Sequence, residues 1–477
     1  MGQITALVKS STLVMMPTKN GAPDTENARS IEVSGAPTFS DSFETIERNV
    51  VRQAFSTYAP LRGLETTSGT ITVELHGAGE VDLPPETALL YKSAFGALYT
   101  PDITISQANN NTWIPSDGVI AALVGNATIS QTELVDSGTN SYNPKLYAVT
   151  VELTLTAATI KEQGFELNFP VRIYDASTNE LKVAGFITKI TEGGTPSITI
   201  VTEKDCSGVT FATTDKVDCG FLFLLHKKYD GSSETYPQVL ATPEANFDYF
   251  RGNIVKEHWT KALTTEFSVD FSTGQVCLPA FNWEGSEVGY SDASYAPGDY
   301  VAGTAGTNIN DLYDSSKTDP LVVQLADIYM AEIDEYTDTE VKVKDYFQEC
   351  ISNIQLTLSN EVFKKQCVAT LGIGEVIRTS RSVTGSMNTF YTGKEFQEAF
   401  RSGTMYCVRA MFNYATDLNA SGDKQFTDEP GNIVAIAIPQ LKYSEVGISE
   451  DTGIFKYDNS FSCEPVRGDD EVLIAFL

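Results

Sequence analysis

The sequence predicts a mainly β protein: β-sandwich or barrel units with short flanking helices, and room for a small inserted β domain. Apolar and polar residues alternate with a period of two in segment after segment, the mark of strands with one buried face. Only two segments carry both a helix start and a helix stop. Turn residues, as in EGGT and YDGSS, punctuate the rest.

The elements follow in chain order. Residues 1–30 read as an N-terminal arm: MGQITALVKSSTLVMM has one Lys and no small-residue cleavage site after an apolar core. TFSDSFETIERNVVRQAF is ambiguous between strand and helix, and reads best as strand and loop with a brief helix. In TITVELH, Ile71, Val73 and Leu75 point one way, and Thr70, Thr72, Glu74 and His76 the other. PPETALLYKSAFG opens on prolines suited to a first helical turn and stops at Gly96. Residues 101 to about 250 alternate again, YAVTVELTLT most clearly, and could fold as a β domain of their own. TEFSVDFS repeats the pattern through Phe267, Val269 and Phe271.

Residues 280–340 are rich in Gly, Ser, Asp and Tyr and read as a long loop or arm. CISNIQLTLSNEVFKKQCVATLG, residues 350–372, reads as a hairpin broken at Asn360-Glu361, with Ile354, Leu356 and Leu358 on its greasy face. GKEFQEAFRSG sets Phe396 and Phe400 one turn apart and ends at Gly403. MYCVRAMF and IVAIAIP carry few polar residues and suit strands covered on both faces. Each helix follows a glycine-containing strand, RGLETTSGTITVELHG and RSVTGSMNTFYTG, so the order strand, helix, strands recurs and points to an internal duplication.

Composition bounds the function. With 477 residues, two or three domains are expected. Lys plus Arg is 33 against 63 Asp plus Glu, a net charge of −30, which opposes phosphate binding. The seven cysteines form no CxxC pair and read as reduced thiols. No apolar run reaches the length of a membrane span. His76, His226 and His258 fit no metal pattern, and His76 reads as solvated on a polar face. No phosphate-cradling loop, dinucleotide fingerprint or nucleophile elbow occurs. EIDEYTDTE, residues 332–340, has carboxylates but not the spacing or glycine of an EF-hand loop. No catalytic, cofactor-binding or metal-binding residue is therefore assigned, and an enzyme is not expected.

A resemblance gives these strands a purpose. ETIERNVVRQAFSTYAPLRGLETTSGTITVELHG followed by ALLYKSAFG resembles the tail tube (major tail) proteins of long-tailed bacteriophages. LTTEFSVDFSTG, YFQECISNIQLTLSNEVFKKQCVATLG, PGNIVAIAIPQLKYSE and EVLIAFL are similar to later strands of that family. The likeness covers residues 31–100 and 260–477. It implies a structural virion protein of the viral tail, assembled in the host cytoplasm, whose sheets join around a ring and whose rings stack into a tube for DNA ejection.

On that reading two tail-tube-type β units are expected, at 31–170 and 260–477, with 171–259 an additional segment or inserted domain. Thr70, Thr72, Glu74, Glu266, Ser268, Asp270, Gln355, Thr357 and Ser359 would face an acidic lumen. Tyr290, Tyr295, Tyr300 and Tyr313 would serve an inter-subunit arm. The implied partners are the chain itself, as a homotrimer with pseudo-six-fold symmetry or alternatively a homohexamer, and tape-measure, tail-tip and tail-terminator proteins. DNA would pass without specific binding, and no cofactor or membrane is implied. The competing readings are another virion role (baseplate, tail terminator or decoration) and a β-rich carbohydrate-binding or hydrolytic protein. Three tryptophans are few for sugar stacking.

Overall fold

The structure is a computed structural model. It describes residues 12–19, 22–23, 28–47, 59, 61–77, 79, 81, 84–99, 122–134, 145–224, 228–229, 234–235, 245–251, 255–285, 287–292, 320–324, 326–347, 351–366, 373–390, 393–419, 424–451, 453–466 and 470–477. The chain is mainly β, and the described residues include two short helices, Ala88–Phe95 and Glu395–Ser402. Both end at the predicted glycines, Gly96 and Gly403, whose positive φ angles of 112° and 69° let the chain leave the helix.

Alternating strands build one long antiparallel front sheet. Its order is Thr38–Ile46, Leu61–Thr72, Ala280–Gly285, Val255–Ser272, Ile351–Gln366, Ile373–Phe390, Ile454–Cys463 and Val434–Asp451. The first four strands and the last four follow the same plan: a hairpin, then a later strand, then a long strand just before it in the chain. The irregularities match too. A residue is skipped between Thr264 and Glu266 in one long strand, and between Tyr443 and Glu445 in the other.

Both long strands leave the front sheet through their first halves. Val255–Thr260 pairs with Ala245–Arg251 and Glu287–Asp292. Val434–Lys442 pairs with Met405–Phe412, and its opening residues pair with Leu473–Phe476. Lys261, at φ 53°, marks the bend in the first of them. Thr12–Lys19 and Asp327–Tyr336 extend the two back sheets at matching places.

Six further strands close a barrel: Leu146–Thr154, Ser197–Thr202, Leu181–Thr191, Pro170–Tyr174, Lys216–Asp218 and Ala122–Val124, which returns to Leu146–Thr154. Ser130–Leu134 adds to one side. The back-sheet strand Val434–Asp451 explains its apolar opening. Val434, Ile436 and Ile438 face the core beneath the front sheet, whereas Ala435 and Ala437 join the core shared with the barrel. Both faces are covered, as IVAIAIP and MYCVRAMF predict.

Several sequence expectations are corrected. Within the segment read as an arm at 280–340, Ala280–Gly285, Glu287–Asp292 and Asp327–Tyr336 are strands. Phe281 and Trp283 alternate with Asn282 and Glu284, a period that the surrounding Gly and Asp obscured. Residues 12–19 of the expected N-terminal arm likewise form a strand, with Leu13 to Met16 buried. The hairpin at 350–372 does not turn at Asn360-Glu361. The strand runs on to Gln366, because Asn360 is buried and finds backbone partners there.

His76 is buried rather than solvated, its Nδ1 lying 3.2 Å from the Gly77 carbonyl oxygen. The next residue, Gly77, lies against the backbone of Gly431 and Asn432, so the chain here runs into the interior instead of along a wet face. The expected boundary at 170/171 falls inside the barrel, and that at 259/260 falls within Val255–Ser272, since pairing here joins strands distant in sequence. Cys206, Cys219, Cys277, Cys407 and Cys463 are free, buried thiols. Cys350, Cys367 and His226 lie outside the described residues.

Candidate functional site

The feature with functional geometry is the outer face of the front sheet. Ile71, Val73, Leu75, Phe267, Val269, Phe271, Ile354, Leu356 and Leu358 are all buried behind it. The intervening Thr70, Thr72, Glu74, Glu266, Ser268, Asp270, Gln355, Thr357 and Ser359 are half-buried or exposed on the opposite face. Glu74 lies just past its strand, where the Val73 and Leu75 amides, bonded to Pro279 and Cys277 carbonyls at 3.0 Å, keep the chain extended.

Register aligns these side chains into rows. Thr38, Thr70, Asn282, Glu266, Ser359 and Ser382 stand opposite one another in turn. A second row runs Thr72, Ala280, Ser268, Thr357, Thr384, Ser462. A third runs Asp270, Gln355, Ser386, Ser460, Glu445. Hydrogen bonds link neighbours across strands. Thr70 Oγ1 donates to Asn282 Oδ1 at 2.6 Å, and Asn282 Nδ2 donates to Glu266 Oε1 at 2.8 Å. Asn353 Nδ2 donates to Asp270 Oδ1 at 2.6 Å. Hydroxyls, amides and carboxylates thus cover a broad, wet surface with little positive charge.

Sequence reasoning missed half of it. Asn282, Ser460, Asp458 and Glu445 belong to the same face, and the alternation in YSEVGISED and YDNSFSC was the signal. Of the tyrosines expected in an arm, Tyr290 sits on a strand opposite Glu257, and Tyr295, Tyr300 and Tyr313 lie outside the described residues.

The sheet is held from behind where its two quartets meet. Tyr91, on the helix Ala88–Phe95, touches Phe267 and Phe281 of the front sheet and Phe223 and Phe476 of the back sheet, with ring centroids 5.1 to 5.7 Å apart. The last carbonyls of that helix lack helical donors and sit at the negative end of its dipole. The second quartet supplies what they need. Asn360 Nδ2 donates to Ala94 O at 3.0 Å and Thr264 O at 3.1 Å. Arg378 donates to Ser93 O at 2.6 Å and Ala94 O at 3.1 Å, and Arg381 reaches Phe95 O while pairing with Glu471. Burial, then the nearby Arg381, pulls Arg378 down to about 10, so it stays charged at neutral pH.

Other polar clusters are engaged with neighbours. Glu332, Glu335 and Glu340 of the acidic EIDEYTDTE stretch pair with Lys344, Lys342 and Lys189. His258 pairs with Asp248, whose other oxygen meets Lys256 at 2.8 Å. No group of His, Cys, Asp and Glu among the described residues is arranged to hold a metal. No helix among them is long and apolar enough to cross a membrane.

A family model described as phage tail tube protein matches residues 6–454. No curated protein matches the chain.

Proposed function

Because the chain belongs to the phage tail tube protein family, a structural component of the viral tail, we propose that it closes into rings whose polar sheet face lines an acidic lumen, and that the rings stack into the conduit for DNA. The observation that carries this reading is the front sheet itself: one continuous wall, apolar behind and polar in front. Each chain brings eight strands to it.

Two matching quartets in one chain favour a homotrimer with pseudo-six-fold symmetry, the outcome of an internal duplication. Three copies give twenty-four strands, and at ordinary spacing and tilt such a cylinder is about 50 Å across between backbones. That leaves room for a hydrated duplex, whereas six copies would double the width. Glu266, Asp270, Glu445 and Asp458 on that face would repel phosphates, so DNA slides rather than binds. A tape-measure protein would occupy the same lumen before DNA does, and tail-tip and tail-terminator proteins would meet the end rings.

Stacking is supported at the two ends of the sheet. The hairpin ends at one rim expose Ile46, Leu61 and Phe363, and the opposite rim exposes Val276, Leu278, Ile454 and Phe455. Apolar residues at both rims suit head-to-tail contact between rings. Negative-stain electron microscopy of the concentrated protein tests the reading: hollow rings or tubes with three-fold end views are expected. Uniform single-chain particles, persisting when a tail-tip initiator is added, would overturn it.

A further inference from the structure

The front sheet ends in two open edges. Among the described residues, Thr38–Ser42 forms ladder pairs only with Thr66–Thr70, and Glu445–Asp451 only with Ile454–Ser460. Unpaired edges of this length associate unless covered. Their counterparts inside the chain are already joined, since Glu266–Ser272 pairs with Asn353–Ser359.

Two landmarks fix which residues correspond. Gly69 and Gly385 each stand between an aromatic residue, Trp283 or Phe461, and an apolar one, Phe39 or Leu356. Phe39 therefore occupies the place of Leu356. Glu266 and Glu445 each follow the skipped residue of a long strand, so Ile448 occupies the place of Val269. Val269, covered by the second quartet, is 2% exposed; Ile448, paired among the described residues on its Tyr457 side alone, is 46% exposed.

Resting on the ring reading above, we propose that the seam between neighbouring copies repeats this internal junction in the same register. Glu445 then meets the neighbouring copy's Ser42, Gly447 its Ser40, Ile448 its Phe39 and Ser449 its Thr38. The occupant of the open edge is a second copy of this chain, because the chain's own first hairpin carries the register of the second hairpin, which fills the equivalent edge inside the chain. The helix clamp changes its chemistry at the seam. Phe43 takes the place of Asn360, and the end of the helix Glu395–Ser402 offers the exposed Phe400 where its counterpart has Ser93. An apolar contact there replaces a polar one, which keeps the internal and external junctions from exchanging partners.

Cysteine cross-linking reads the register directly, since a disulfide needs Cα atoms within about 7 Å. Thr38→Cys with Ser449→Cys in one chain should give, on oxidation, a reducible ladder ending at a covalent trimer. Ser40→Cys with Ser449→Cys, two residues out of register, should not. Asp270→Cys with Gln355→Cys, the internal counterpart, should close within the chain and shows that fold and oxidation are intact. Equal or better linking by the out-of-register pair, or no linking in a sample that forms rings, overturns the seam and leaves the tube reading standing. Absence of both rings and links overturns both. As a second variant, Ile448→Glu alters a side chain exposed in the single chain, so it should stay folded and lower ring yield about tenfold or more, a loss near 1.4 kcal/mol. Undiminished rings would count against the seam.

Discussion

At the scale of single residues, one buried cluster ties the barrel to the second quartet's back sheet. Lys424 Nζ lies 2.6 Å from Glu203, at the end of a barrel strand, and 2.5 Å from Asp327, which opens Asp327–Tyr336. Burial, and then the charge of Asp327, pushes Glu203 up to about 8 against the pull of Lys424. Asp327 is raised too, chiefly by burial. Two carboxylates share one ammonium and one proton. The folded chain therefore holds a proton that the unfolded chain releases in the ordinary carboxylate range. The cluster's contribution to stability is full below that range and is lost as pH rises through about 8. Melting temperature should fall between about pH 5 and pH 8 and level off above that, and Glu203→Gln should flatten the slope. A wild-type slope retained in the variant would place the titration elsewhere. Nothing in the sequence pointed to this cluster, because its members are distant in the chain and each looks like a surface charge.

At the scale of elements, alternation was legible wherever one face of a strand meets water, as in TITVELH and TEFSVDFS. It failed where local composition disguised it, in FNWEG, or where a buried polar residue mimicked a turn, at Asn360. The two strand glycines were visible but uninterpreted. Gly385 passes so close to the Phe461 ring and the Gln355 carbonyl that an added Cβ would collide with both, and Gly69 meets Thr38 and Trp283 in the same way. A carbonyl in a paired strand cannot step aside, so the collision outweighs the small backbone gain of replacing glycine. Gly385→Ala should cost about 1–3 kcal/mol, read by denaturant unfolding, and Phe461→Leu in the same chain should recover part of it. An unchanged midpoint for Gly385→Ala would show that the strands separate more easily than their register implies.

At the scale of the whole molecule, charge and architecture act together. A net charge of −30 lowers affinity for any polyanion, but only the sheet decides where the carboxylates point. Glu266 and Asp270 lie on the polar face in rows shared by neighbouring strands. Glu266→Lys with Asp270→Lys should leave the single chain folded, at a cost of about 1–3 kcal/mol for the hydrogen bonds lost from Asn282 and Asn353. Assembled tubes should then retain duplex DNA, and the retention should weaken steeply with salt, as phosphate contacts do. DNA retention that is absent at low salt would mean this face does not line the conduit.

The sequence by itself determined the β class, the two helices with their glycine stops, the wet and greasy faces of the main strands, and the family. Those follow from local periodicity, local turn chemistry and short ordered motifs, all of which one segment carries alone. Only the tertiary structure decided the rest: that two quartets share one wall, that Thr12–Lys19 is a strand and not an arm, that the barrel runs from Ala122 to Asp218, and that His76 is buried. Each depends on which distant segment supplies the missing hydrogen bonds or covers the remaining face, and a strand's own residues do not name its neighbour.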